Sequence, residues 1–306
     1  MTRLTLQTHK LPRTFGALFA EIRASSDADY RNLIRKMLSF YAQALLNPHW
    51  GEQIVVRPNN VLAISMVFQD LSQEEAERTW TPFFDWVRER VDSYTLASQP
   101  TILAIPARLF WDPAFLKTLP GIVLTDSHAA RERIFWASNR EEAGQVIHAY
   151  QSAWLPSLLI ADGAPEVLTD ALFSASRHWS VSLHTNKGLA GGQESVRQAA
   201  LSTAMNPAVV DAFALAVCAA EGPPSYPGIV GHEPDLDRAR VEAGRVKAAM
   251  DALRAKVCIA GSYLAESDYF EMDWKSAFWG KNYELLLSVK RKYDPQNTFY
   301  VHHGVS

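Results

Sequence analysis

The chain closes on the stretch DWKSAFWGKNYELLLSVKRKYDPQNTFYVHHGVS, residues 273–306, where polar groups able to do chemistry sit inside an apolar pattern. Phe278, Asn282, Leu285 and Val289 follow steps of four, three and four, which places the Asn282 amide on the apolar stripe of a helix. A buried amide costs roughly 1–3 kcal/mol unless its hydrogen bonds are met, so Asn282 serves either a ligand or a backbone group of this chain. His302 and His303 offer two imidazoles side by side, but neighbours on an extended segment point opposite ways and seldom share one ion. The expectation is that one packs and the other is solvated, with no metal site.

Other chemistry-bearing patterns are missing or weak. The sequence has no Gly-x-Gly-x-x-Gly, no P-loop and no Gly-x-Ser-x-Gly elbow, and its nine histidines show no His-Glu-x-x-His spacing. NKGLAGG, residues 186–192, is the nearest thing to an anion cradle but reads first as a flexible strand-to-helix turn. Cys218 and Cys258 lie far apart in apolar surroundings and are expected to be buried as small hydrophobes. Of nine tryptophans, Trp50 and Trp111 stand beside turn signals and are candidates to face a ligand.

The elements that must position these groups belong to a folded domain. With 306 residues, 48% hydrophobic and 21% charged, the chain can bury one large core or two ordinary ones. A net charge of -3 gives no broad electropositive surface for nucleic acid or an anionic membrane. The first residues lack the apolar core of a signal peptide, which leaves a cytoplasmic location as the expectation. Leu4 and Leu6 alternate with polar residues as a half-buried strand, so the chain reads as the later part of something larger.

Ser25-Ser26 caps a helix through DADYRNLIRKMLSFYAQALL, and Pro58-Asn59-Asn60 turns the hairpin between EQIVVR and VLAISMVF. Ser72 and Glu75 have capping-box spacing ahead of AERTWTPFFDWVRERV. TILAIPARLF, WSVSLHT, AFALAVCAA and VCIAGSYLA read as strands; a helix capped by Asn139 through EEAGQVIHAYQSAW and another through EPDLDRARVEAGRVKAAMDALRAKV complete the pattern. Interleaved helices and hairpins predict an α+β fold: an antiparallel or mixed sheet covered by helices on one face.

The closing segment, from Trp279 to Val305, resembles the C-terminal signature of the berberine-bridge-enzyme-like FAD-linked oxidases: an aromatic-Gly-x-Asn helix, then Asp-Pro-x-Asn-x-Phe, then a final strand. Upstream, THKLPRTFG, NPHWGEQ, RLFWDPAFL, NKGLAG, NPAVVDAFALAV and YPGIVGHEPDL are similar to the substrate-domain portion of microbial members. The resemblance implies a substrate-binding domain over residues 1–272, and a segment 273–306 that packs on a separate FAD-binding domain. FAD would then be held by a partner polypeptide, from a split enzyme or a truncated product. The implied activity is hydride transfer from an alcohol or similar small molecule to flavin, with oxygen as acceptor. The alternative is a ligand- or partner-binding module without flavin.

Relatives commonly carry Tyr-x-Asn-Tyr or Tyr-x-Asn-His on the strand before the closing helix; here the residues are Tyr263-Leu264-Ala265-Glu266. The resemblance thus makes Glu266 the candidate base, acting if an apolar sheet raises its pKa, with Tyr263 and Tyr269 as hydrogen-bonding assistants. Asn282 and His303 become candidate flavin contacts, and Trp50, Gln53, Trp111 and Asn186 fall on the substrate side.

Overall fold

The computed structural model describes residues 3–6, 8–125, 130, 133–163, 165–259 and 261–306. Residues 3–6 form no strand and Leu4 and Leu6 are exposed, contrary to the alternation, because no strand among the described residues pairs with them. The first strand is β1 (Thr14–Ala24), followed by α1 (Asp27–Phe40), whose N-cap Ser26 side chain accepts from Asp29 N, and a single π-turn, Tyr41–Leu45. The predicted hairpin is β2 (Trp50–Val56) against β3 (Val61–Gln69), and α2 (Gln73–Arg88) opens on the complete Ser72–Glu75 capping box. Next come β4 (Tyr94–Leu96), β5 (Thr101–Pro106), the short α3 (Pro113–Leu116) and a two-stranded ribbon of β6 (Val123–Leu124) and β7 (Phe135–Trp136).

The helix expected after Asn139 is instead a strand, β8 (Val146–Pro156). Its aromatic and β-branched residues favour a pleated surface, and Tyr150, Ser152 and Trp154 pair with Ala219, Val217 and Leu215 across the ladder. The remaining elements are α4 (Glu166–Ser176), β9 (Val181–His184), α5 (Glu194–Leu201), α6 (Ala208–Asp211), β10 (Ala212–Gly222), α7 (Leu236–Arg254), α8 (Trp274–Trp279) and α9 (Tyr283–Tyr293). Eight strands form one sheet in the order β4-β1-β3-β2-β9-β10-β8, with β5 also on β1, and the pairings are antiparallel.

Period-two alternation divides the sheet into two faces. Leu18, Ile22, Ile64, Met66, Leu183 and Ala216 point into a core closed by α1, α2, α4 and α7, where Leu33, Trp80, Leu172 and Met250 are fully buried. On the other face a smaller cluster around Trp154, Val209, Leu215 and Val217 covers the β8–β10 end. Elsewhere that face is open, with Phe19 and Leu103 exposed. The α+β expectation, helices packed on one face of an antiparallel sheet, is met.

The chain's end departs from the pattern. Gly280, at φ 52, breaks the closing helix into α8 and α9, so the stripe is not continuous. Phe278 is buried, whereas Leu285 is 66% exposed and Val289 is exposed too. Among the described residues no strand follows Asp294-Pro295, and Phe299, Tyr300 and Val301 lie exposed with no ladder partner. Cys218 is buried, its thiol pushed up to about 12 by burial, but Cys258 is exposed.

Candidate functional site

The site is built where the segment after α7 meets the edge strand β8. Ser152 Oγ and Ser262 Oγ lie 2.7 Å apart in a hydrogen bond, and Tyr263 N donates to Ser152 Oγ at 3.2 Å. Gln151 Nε2 donates to Asp268 Oδ2 at 2.8 Å, and Ser262 N to Ala277 O at 2.8 Å. VCIAGSYLA was expected to close the sheet as a strand, yet these bonds run largely to side chains and to α8 instead of a ladder; its Ala260 lies outside the described residues. Gly261 sets the bend at φ 83: a Cβ there would lie 2.6 Å from Asn206 Nδ2 and 3.0 Å from Ala277 O.

Between this segment, β8 and α8 lies a cleft of about 570 Å³, with walls from Trp154, Val209, Tyr263, Phe278 and Trp279. At one side Lys187 Nζ donates to Glu266 Oε2, both side chains about a quarter exposed (25% and 23%), and the ammonium stands 5.5 Å from the Tyr263 ring centroid. The indole N–H groups of Trp154 and Trp279 are buried with no acceptor among the described residues. A mostly apolar cavity with a few convergent polar groups is the usual form of a small-molecule site.

A second, polar groove of about 490 Å³ runs along the sheet face, lined by Gln53, Tyr150, Ser182, His184, Glu221 and Arg238 among others. His184 Nε2 lies 3.2 Å from Ser182 Oγ and 3.5 Å from Gln53 Nε2, and its Nδ1 is 3.9 Å from Glu52 Oε2. Burial, and then the Lys187 ammonium, hold the His184 pKa below its usual value against the opposing pull of Glu52 and Glu266. Burial, reinforced by Glu266 and Glu221, pushes the Tyr150 phenol up to about 12. Glu52 sits at φ 69 inside β2; its carbonyl accepts from Thr185 N and Oγ1, and its carboxylate from Asn186 Nδ2 at 2.7 Å.

The structure brings Glu266 and Tyr263 together in the cleft, and gives Glu266 a lysine partner. Tyr269 is elsewhere, exposed and stacked on His302 with ring centroids 4.3 Å apart. His302 and His303 do not point apart: His303, at φ 58, leaves the extended conformation, and the two rings stack at 3.7 Å. His303 also stacks on Trp274. Asn282 caps no buried stripe; its Nδ2 donates to Met205 O at 2.7 Å and Thr203 O at 3.3 Å. Trp50, a candidate to face a ligand, is buried against Phe68 and Trp80. Trp111 is exposed against Phe110, Gln53 lines the polar groove, and Asn186 spends its amide on Glu52.

Lys187 and His184 are the residues that sequence reasoning missed. The signal for His184 was present: in WSVSLHT, Val181 and Leu183 alternate inward, which leaves Ser182 and His184 on the opposite face. Lys187 carried no such signal, because its partner is 79 residues away.

Over 96% of this chain, the structure superposes with TM-score 0.64 on a VAO-type flavoprotein, MtVAO615 from Myceliophthora thermophila C1, at 21% identity, covering 47% of that chain. With Physcomitrella patens BBE-like 1 the TM-score is 0.62 over 97% of this chain and 55% of that one, at 11% identity. The fold is therefore that found in part of a VAO-type flavoprotein, and this chain spans about half the length of these structures. Residues 262–306 match the family model "Berberine and berberine like". An uncharacterized FAD-linked oxidoreductase of Arthroderma benhamiae is 54% identical over 39 residues, which are 13% of this chain and 7% of that protein. The VAO-type flavoprotein oxidase VAO615 of Thermothelomyces thermophilus is 51% identical over 43 residues, 14% of this chain and 8% of that protein. The resemblance to berberine-bridge-enzyme-like FAD-linked oxidases is borne out.

Proposed function

We propose that this chain forms the substrate side of an FAD-linked oxidoreductase acting on an alcohol or similar small organic molecule. The flavin-binding half would come from a partner polypeptide or another part of a longer chain. The observation that carries the reading is the apolar cleft bearing the Lys187–Glu266 pair, built in part by the segment that matches the berberine-like family model. The residues fit a flavin in kind: aromatic and aliphatic walls suit a flat heteroaromatic ring, and the unpartnered Trp154 and Trp279 N–H groups suit its polar edge. Bound there, FAD would supply the hydride acceptor, with oxygen as the final oxidant.

This chain's own residues hold and orient. The cleft walls exclude water from the reacting carbon, and Glu266, fixed by Lys187, helps to orient the substrate beside Tyr263. Segment 273–306 presents Leu285, Phe299, Tyr300 and Val301 as the surface that packs on the flavin half, with Asn282 and His303 as the contacts proposed for it. Co-expression of residues 1–306 with a flavin-binding half tests this reading. A yellow complex whose flavin bleaches anaerobically with one of a panel of small alcohols is the expected result. A colourless complex, or none, would overturn it in favour of a flavin-free binding module.

A further inference from the structure

We propose that His184 is the proton acceptor of this site, taking the hydroxyl proton of a bound alcohol at Nε2, with Glu52 behind it as the orienting carboxylate. The inference rests on the substrate-side reading above and adds a residue to it. In the ladder His184 lies opposite Gln53 on β2 and Leu215 on β10, which stands the imidazole mid-sheet on the face away from the helices. The residue is 9% exposed and lines the second groove, and the Lys187 and Glu266 charges at the side of the cleft act on its imidazole.

The two ring nitrogens have different surroundings. Nδ1 is buried with no hydrogen-bond partner among the described residues, and Glu52 Oε2 lies 3.9 Å from it. Nε2 meets two groups that can donate, the Ser182 hydroxyl at 3.2 Å and the Gln53 amide at 3.5 Å. The tautomer that satisfies this set carries its proton on Nδ1, toward Glu52, and its lone pair on Nε2. Both Nε2 contacts are long, so a substrate hydroxyl can displace them. Glu52 holds a left-handed φ inside a strand, fixed by the Thr185 and Asn186 bonds, and such backbone persists where the surroundings over-determine it.

Glu266 is less free for this task because Lys187 occupies its carboxylate. In the transfer the substrate O–H bond breaks, the Nε2–H bond forms, and the electron pair stays on oxygen. The imidazolium produced faces Glu52. The charged and titratable groups around it are Glu52 from β2, Lys187 from the turn after β9, Glu266 from the closing segment, Tyr150 from β8, Glu221 from β10, and the Arg238–Glu242 pair of α7. Burial and Lys187 keep the imidazole neutral near pH 7, the state a base requires.

Two measurements decide the proposal. In the full 306-residue chain, the His184 imidazole is titrated by NMR: Glu52→Gln should shift its midpoint to lower pH, and an unmoved midpoint would overturn the pairing. In the flavin complex, His184→Gln should slow anaerobic flavin bleaching by about a hundredfold or more and abolish the fall of the rate at acid pH. Glu52→Gln should keep that fall but move it to lower pH. Bleaching by the His184→Gln complex at the wild-type rate would overturn this inference alone, whereas a wild-type complex that never bleaches would overturn the functional reading itself.

Discussion

Lys187 and Glu266 join the turn after β9 to the closing segment through one ion pair at the side of the cleft, with about three-quarters of each side chain out of solvent. Removing one member leaves the other charged and part-buried, so Lys187→Met should destabilise the chain by about 1–3 kcal/mol. Glu266→Gln keeps shape and should cost less. The double variant should recover part of the loss, and a double-mutant cycle from urea unfolding reads the coupling directly. A coupling near zero would remove the pair as an organiser of the cleft. In the flavin complex, Glu266→Gln should slow bleaching about tenfold while assembly is unchanged, because a group that orients the substrate is altered.

Gly261 and Gly244 make a contrasting pair. At Gly261, φ 83 and a Cβ position 2.6 Å from Asn206 Nδ2 leave no room for a side chain. Gly261→Ala should cost about 2 kcal/mol or more through left-handed strain and displacement of the bend. Gly244 lies inside α7 with open space around it, so Gly244→Ala should stabilise by about 0.5–1 kcal/mol. Opposite shifts of the denaturation midpoint are the expected result; shifts of the same sign would contradict the geometry of the closing segment.

Asn206 ties that segment down. Its Nδ2 donates to Ala277 O at 2.8 Å, while its Oδ1 accepts from Ala208 N at 3.0 Å, and the residue is buried. Asn206→Ala leaves the Ala208 amide without its acceptor and Ala277 O with Ser262 N alone, which should cost about 1–3 kcal/mol, concentrated in α8 and the cleft. Limited proteolysis should therefore cut first between Ser262 and Trp279 in the variant. Equal protection in both proteins would show that the closing segment is anchored elsewhere.

Much of the helical half was legible because its signals are local. Ser72 and Glu75 form their capping box within one turn, and Ser26 caps α1 as its position predicts. β8 was hidden because Val146, Tyr150 and Trp154 recur every four residues, a spacing that fits both a helical face and one face of a strand. The Asn282 stripe was correct as a pattern, but Gly280 turned it out of the core and its amide found Met205 and Thr203. The cleft was illegible for another reason: it depends on contacts such as Lys187 with Glu266 that unite segments far apart in the chain.

His184 gives the stability of the chain a pH dependence whose sign follows from its burial. Its folded pKa lies below the unfolded value of about 6.5, so between the two the unfolded chain binds more protons. The contribution is complete above about pH 6.5 and is lost as the pH falls through the folded value. Urea midpoints of the wild type should therefore drop from about pH 7.5 to about pH 5, and those of His184→Gln should drop less over the same range. Glu52 opposes the shift, so Glu52→Gln should steepen the fall. Lys187 reinforces it, so Lys187→Met should flatten it. If His184→Gln tracked the wild type throughout, the imidazole would not be held neutral by the fold, and its suitability as a base at Nε2 would lose its physical ground.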